Sequence, residues 1–255
     1  MGIDLPQLRL LTELSGRYQP RGRSVMLGRQ AIRVGPKNRI RANRYLRTAG
    51  RDLRWRDVVQ EDSFSETLWR RLGFGEIESM DLSDYEGAGI LHNLNDPIPA
   101  ALEGEFDFIF DGGTMEHVFN VPVALMNVFR MLKPGGRFVS ANGMNGWVGH
   151  GFYQFNPDLA WTFWRRACNC TVHRCLGVAR DEDVEDMDFL DVGDYGTRLR
   201  LRGKLPHTRI YLYYEVEKTA DSEYDGTVLQ SDYVARWPGT ADRDDADDSH
   251  ERAAE

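Results

Sequence analysis

Residues 106–136 pass through three apolar patterns in one short span. Phe106-Asp-Phe-Ile-Phe110 is a brief aromatic run of the kind that forms a buried strand. Asp111-Gly112-Gly113 interrupts it, and the paired glycines allow a sharp turn. A polar cluster follows: Thr114, Glu116, His117 and Asn120. Beyond Pro122, the residues Val123, Leu125, Met126, Val128, Phe129 and Leu132 recur at three- and four-residue steps, which predicts a helix. Lys133-Pro-Gly-Gly136 ends that helix, and Arg137-Phe-Val-Ser140 predicts another strand. Strand, polar tip, helix, Gly-rich turn and strand make the unit of an open α/β sheet, whose ligands sit beyond the carboxyl ends of the strands.

The rest of the chain extends this alternation. Leu5, Leu8, Leu11 and Leu14 predict a helix over 3–15, and Ser24-Val-Met-Leu-Gly28 a first strand ending at a glycine. Short elements are expected over 38–46 and 51–59. A helix over 66–72 follows, capped by Ser63 or Ser65 and stopped by Gly73. Residues 76–80 and 89–94 read as two more strands. The segment 142–157 is rich in glycine, asparagine and aromatics, which suits a loop over a pocket. Asp158 can cap an aromatic helix through Leu159, Trp161, Phe163 and Trp164. Residues 199–202 and 209–216 read as late strands, with a hairpin as one arrangement. The expected fold is α/β: a doubly wound, mainly parallel sheet with late β elements. One domain is expected over 1–238, with a basic insertion at 17–62, an active-site loop at 141–157 and a disordered acidic tail at 239–255.

Charge alters this picture in one place. Residues 17–56 carry thirteen basic side chains against the single acid Asp52. That segment is therefore +12 within a chain of net charge −8, which leaves −20 for the remainder. Such asymmetry suits an anionic ligand, a nucleic acid or an acidic partner, or else pairing with the protein's own acids. Nucleic acid is disfavoured because the whole chain is acidic and no recognised binding module is present. Three cysteines imply no disulfide framework and fit a reducing cytoplasm. No apolar run approaches the ~18 residues of a membrane helix, and no membrane association is expected. Cys168-x-Cys170-x-x-His173-x-Cys175 is too tight to surround one tetrahedral ion, so no metal is expected.

In their order and spacing, the motifs of residues 24–154 resemble the class I S-adenosylmethionine-dependent methyltransferases. The resemblance is carried by Phe106-Asp-Phe-Ile-Phe-Asp111, Glu116-His117 and Leu132-Lys-Pro-Gly-Gly136. Leu94-Asn-Asp-Pro97 and the acidic Asp81 after the second strand add to it. It implies a Rossmann-like fold of the class I methyltransferase type and S-adenosylmethionine as cofactor. It further implies a cofactor site drawing on Gly28, Arg29, Gln30, Asp81, Asn95, Asp111 and Gly112. One motif departs: where the family carries a Gly-x-Gly-x-Gly-like loop, this chain reads Gly28-Arg29-Gln30-Ala31. A cationic Arg29 opposes a sulfonium and suits an anionic ligand.

Two readings follow. In one, the protein transfers a methyl group to a small molecule, an anionic one included, in specialised metabolism. In the other, the scaffold works without the cofactor, on elimination, cyclisation or isomerisation of an anionic small molecule, or serves as a non-catalytic subunit of a heteromer. Homo- and hetero-oligomers both remain open. Candidate catalytic residues are Glu116, His117, His150 and Tyr153. A base is needed only where the methyl acceptor must lose a proton. Their plainer roles are first-turn dipole complementarity for Glu116, a local hydrogen bond for His117, and loop packing for His150 and Tyr153.

Overall fold

The computed structural model describes residues 2–48, 52–181, 183–191, 201 and 203–231. An eight-stranded sheet forms its centre, in the order β5-β4-β2-β6-β7-β10-β8-β9. These strands are β2 (Ser24–Leu27), β4 (Ile77–Asp81), β5 (Ile90–Leu91), β6 (Phe106–Asp111), β7 (Leu132–Asn145), β8 (Thr171–Ala179), β9 (Met187–Asp188) and β10 (Ile210–Glu217). From β5 to β7 neighbours run parallel, whereas β10 is antiparallel to both β7 and β8. Two-residue strands β1 (Gly2–Ile3) and β3 (Ala31–Ile32) pair separately in parallel.

Alternation along the strands sends side chains to two apolar layers, because neighbouring Cβ atoms point to opposite faces. Met26, Phe108, Phe110, Val139 and Tyr213 face one layer, packed against α1 (Leu5–Ser15), α2 (Arg39–Thr48) and α4 (Glu66–Leu72). Val25, Leu27, Ile109, Phe138 and Tyr214 face the other, against α5 (Val121–Met131) and a widened π-type helix, Ala160–Ala167. Between α2 and α4 lies the single-turn α3 (Trp55–Val58). Asp4 caps α1 by accepting the Gln7 N–H, with Pro6 in the first turn. Gly73, at φ 91°, ends α4 in the left-handed region, where glycine carries no Cβ penalty.

Several expectations change here. Ser65 stands at the N-cap of α4, but its hydroxyl accepts from the Trp69 indole instead of capping. The strand expected over 89–94 shrinks to Ile90–Leu91. The strand expected over 137–140 runs from Leu132 to Asn145, because β10 pairs with it as far as Asn145. Residues 141–145, expected as loop, are therefore strand. β10 lies between β7 and β8. The strand expected over 199–202 falls, apart from Leu201, outside the described residues. The expected tail at 239–255 also falls outside them. Among the described residues, no helix is long and apolar enough to cross a membrane.

Part of the basic segment is matched by the protein's own acids. Arg17 binds Glu215, Arg23 binds Glu78 and Glu105, and Arg41 binds Asp183. The expectation of a free cationic surface for an anionic partner fails at these positions.

Candidate functional site

At the carboxyl ends of β2 and β6 the backbone turns on glycines. Gly28 has φ 66°, and Gly113 has φ 102°. Gly112 has no room for a side chain: a Cβ there would stand 2.7 Å from the Phe110 ring and 3.1 Å from Gln30 Oε1. Asp111 is fully buried and both its oxygens are engaged. Oδ1 accepts the Thr114 and Met115 N–H groups, and Oδ2 accepts from Asn142 at 2.6 Å and Ser140 at 3.3 Å. Burial raises its pKa and these hydrogen bonds oppose that shift. Asp111 thus ties the tips of β6 and β7 together, and the structure gives it no oxygen free for a cofactor.

Arg29 is committed as well. Its guanidinium donates to Glu66 at 2.6 Å, to Asp62 at 3.0 Å and to the Glu86 carbonyl at 2.8 Å, and it lies 3.9 Å over the Phe64 ring. The anionic ligand expected at Arg29 finds its charge already matched. Asn95 is similarly occupied: its Oδ1 accepts the Asn120 N–H, and its amide donates to Asn93.

Two acceptors on this rim remain open. Gln30 is buried with its amide nitrogen donating to the Leu27 and Gly28 carbonyls, while Oε1 has no partner. Asp81, at the end of β4, accepts the Leu82 N–H through Oδ1, and among the described residues Oδ2 receives no donor.

Beyond Gly112 lies a cavity of about 220 Å³ over β6, β7 and β10. Gly112, Gly113, Glu116, Trp147, His150 and Tyr211 line it, together with Asp4 and Gln7 from α1 and its cap, and Arg33, Arg180 and Arg209. Glu116 belongs to a 3₁₀ turn, Met115–His117, and is 3% exposed. Its Oε1 lies 3.5 Å from His150 Nε2, and its Oε2 is buried without a partner among the described residues. Burial first, then the nearby Asp111 carboxylate, pushes its pKa up to about 8. Burial pushes His150 and His117 below the usual imidazole value. The Arg209 and Arg180 charges add to the shift at His150, and His150 adds to it at His117.

The loop after β7 is fastened to Glu116 through its backbone. The Phe152 and Tyr153 N–H groups donate to the Glu116 carbonyl, and a Cβ on Gly151 would come within 2.7 Å of that oxygen. Trp147 anchors the loop by donating from its indole to the Ile210 carbonyl.

The structure therefore brings Glu116, His117 and His150 together, their ligand-type atoms all within 4.8 Å of one another. That spacing is within reach of a metal ion. However, the guanidiniums that disfavour a proton on His150 would disfavour a dication more strongly. Tyr153 is exposed and its hydroxyl donates to the Phe119 carbonyl at 2.8 Å, so it holds the loop and does not line this cavity. The cysteine cluster is buried, with all three thiol pKa values raised chiefly by burial.

Sequence reasoning missed Asp4, Gln7, Arg33, Arg180, Arg209 and Tyr211. Asp4 reads as a helix cap and Tyr211 as a strand residue. Only the pairing of β10 with β7 and β8 carries Tyr211 and Arg180 to the same end of the sheet as Glu116.

Residues 75–140 match the family model described as a methyltransferase domain. No curated protein matches the sequence. Among solved structures, the chain is similar to the Burkholderia thailandensis 1,6-didemethyltoxoflavin-N1-methyltransferase. Identity is 15%, over 83% of this chain and 78% of that one, with a TM-score of 0.40. It is similar to the Streptomyces coelicolor geranyl diphosphate C-methyltransferase at 12% identity, over 84% and 77%, with a TM-score of 0.40. It also aligns with the citrinin polyketide synthase CMeT domain at 15% identity and a TM-score of 0.33, over 55% of this chain but only 35% of that one. Likeness at this level says nothing of what this chain binds or acts on.

Proposed function

We propose that this chain, a methyltransferase-like enzyme with the Rossmann-like class I fold, transfers a methyl group from S-adenosylmethionine to a small molecule bound in the Glu116 cavity. The observation that carries the reading is the unpartnered, buried Glu116 Oε2 beside His150, at the carboxyl ends of the central strands. A buried acceptor without a donor is costly, so such an atom points to a ligand group that supplies one.

The residues present fit the cofactor. Asp81 offers a free carboxylate oxygen to a ribose diol. Gln30 Oε1 offers an unsatisfied acceptor to an ammonium, and Gly28 turns the backbone between them. When bound there, S-adenosylmethionine supplies an electrophilic methyl group. Gly112 borders both Gln30 and the cavity, so the cofactor and acceptor sites meet at that residue. In the cavity, Glu116 in its ionised form accepts the proton of an acceptor hydroxyl or amine through Oε2. His150, exposed on its outer side and 3.5 Å from Oε1, exchanges that proton with solvent. Trp147, held by the Ile210 carbonyl, forms one wall of the cavity.

The competing reading, an enzyme that uses this scaffold without the cofactor, draws on Arg29. Its contacts with Glu66 and the Glu86 carbonyl cross between the ends of β2 and β4, where the family carries glycines. A methyl-labelled S-adenosylmethionine assay against pools of small hydroxylated and aminated acids separates the two. Label transfer by the native protein, reduced by Glu116→Gln, supports methyl transfer. No transfer above background to any pool counts against it.

A further inference from the structure

We infer that the small molecule acted on here carries an oxyanion, a phosphate or carboxylate, held by Arg33, Arg180 and Arg209 at the mouth of the Glu116 cavity. That this molecule is methylated rests on the methyl-transfer reading, but the subsite stands on its own geometry.

Several arginines of this protein are matched internally. Arg9, Arg17, Arg23, Arg29, Arg165 and Arg166 all bind carboxylates of the protein. Arg33 and Arg209 have no carboxylate partner among the described residues, yet both line the same cavity. Arg209 is instead positioned by Trp147, its guanidinium carbon 4.7 Å from the ring centroid. Arg180 stands on the same ring at 5.8 Å, and its Nε donates to Asp4 Oδ2 at 3.2 Å. Stacking on an indole orients a guanidinium while leaving its N–H groups available in the ring plane. With Asp4 matched to Arg180 and to the Tyr211 hydroxyl, the Arg33 and Arg209 guanidiniums have no carboxylate to offset them among the described residues.

The floor has the opposite need. Glu116 Oε2 and Gln7 Oε1 are buried acceptors without donors, and both residues line this cavity. A ligand that satisfies both ends carries O–H or N–H groups on one side and anionic oxygens on the other. The cavity, at about 220 Å³, is smaller than the roughly 300–1,000 Å³ that encloses a whole drug-sized ligand. A neighbouring groove of about 690 Å³ shares Arg209 and is lined by Gly146, Leu205, Pro206 and Thr208. The body of a larger ligand would leave the cavity past Arg209 into that groove.

A second basic groove, on α2 with Arg44 and Arg47, has no buried unpartnered acceptor in its lining and serves as a control. The test titrates the full-length protein at low ionic strength with inorganic phosphate, with malonate and with S-adenosylmethionine. The same titrations are run on Arg209→Gln, Arg33→Gln and Arg44→Gln. The expected result is saturable one-to-one binding of at least one anion. Arg209→Gln weakens it about tenfold and Arg33→Gln measurably, as loss of a charged hydrogen-bond donor does. Arg44→Gln leaves it unchanged. The preferred anion tells a phosphate from a carboxylate. Absence of saturable binding by either anion overturns the subsite, as does an equal loss in Arg44→Gln. Anion binding without S-adenosylmethionine binding upholds the subsite while removing methyl transfer. Cofactor binding without anion binding does the reverse.

Discussion

Glu116 is 3% exposed, with one oxygen unpartnered and the Asp111 carboxylate nearby, and its pKa is pushed up to about 8. Its folded pKa lies above its unfolded one, so the native state holds an extra proton across the interval between them. The stability this contributes is complete below the ordinary glutamate range and is lost as pH rises through about 8. Glu116→Gln removes that dependence. Relative to the native protein, the variant's melting temperature should therefore be higher at pH 9 than at pH 5, and scanning calorimetry at the two pH values checks this. Activity has the opposite slope, because a base must be ionised: the native rate should climb with pH up to about 8. Glu116→Gln should reduce kcat about 10²- to 10⁴-fold, as loss of a general base does. An unchanged rate would return Glu116 to the role of a turn residue.

The elements around Glu116 explain why it stays in place. The loop after β7 reaches the Glu116 carbonyl through the Phe152 and Tyr153 N–H groups, and Gly151 makes that approach possible. Gly151→Ala puts a methyl group 2.7 Å from that oxygen and should cost about 1–3 kcal/mol of stability, with a larger loss of activity. Denaturant titration alongside rate measurement separates the two effects. The strand–turn–helix unit around β6 was legible because its residues contact mainly their own neighbours: the aromatic run, the paired glycines and the apolar helix steps are local patterns. Glu116, His117 and His150 were legible as polar residues at a strand tip and in a glycine-rich loop. β8 was not, because residues 168–175, which run into it, read as a cysteine cluster and its pairing partner β10 lies far along the chain. Asp4 and Arg209 were hidden for the same reason, since only long-range pairing carries them to the cavity.

At the scale of the whole molecule, β10 is the strand that joins β8 and β9 to the rest of the sheet. It pairs with β7 on one side and β8 on the other along its length. It also carries Glu215, which is fully buried and bound by Arg17 and the Tyr213 hydroxyl. Arg17→Ala leaves that carboxylate poorly compensated. It should cost about 2–3 kcal/mol, less than the 3–5 of a fully buried pair, because Arg17 is 37% exposed and Arg174 stands 4.0 Å away. Equilibrium unfolding measures this, and a change under about 0.5 kcal/mol would mean that Arg174 takes over. The sheet brings the ends of β2, β4 and β6 to one rim, with Asp81 on it, the unpartnered Gln30 Oε1 buried behind it and Glu116 across Gly112. Cofactor binding at that rim is the claim on which the rest depends. Calorimetric titration with S-adenosylmethionine and S-adenosylhomocysteine, on the native protein and on Asp81→Ala, tests it most directly. One-site binding of both ligands, weakened tenfold or more in Asp81→Ala, is the predicted result. No binding by the native protein at millimolar ligand would contradict it.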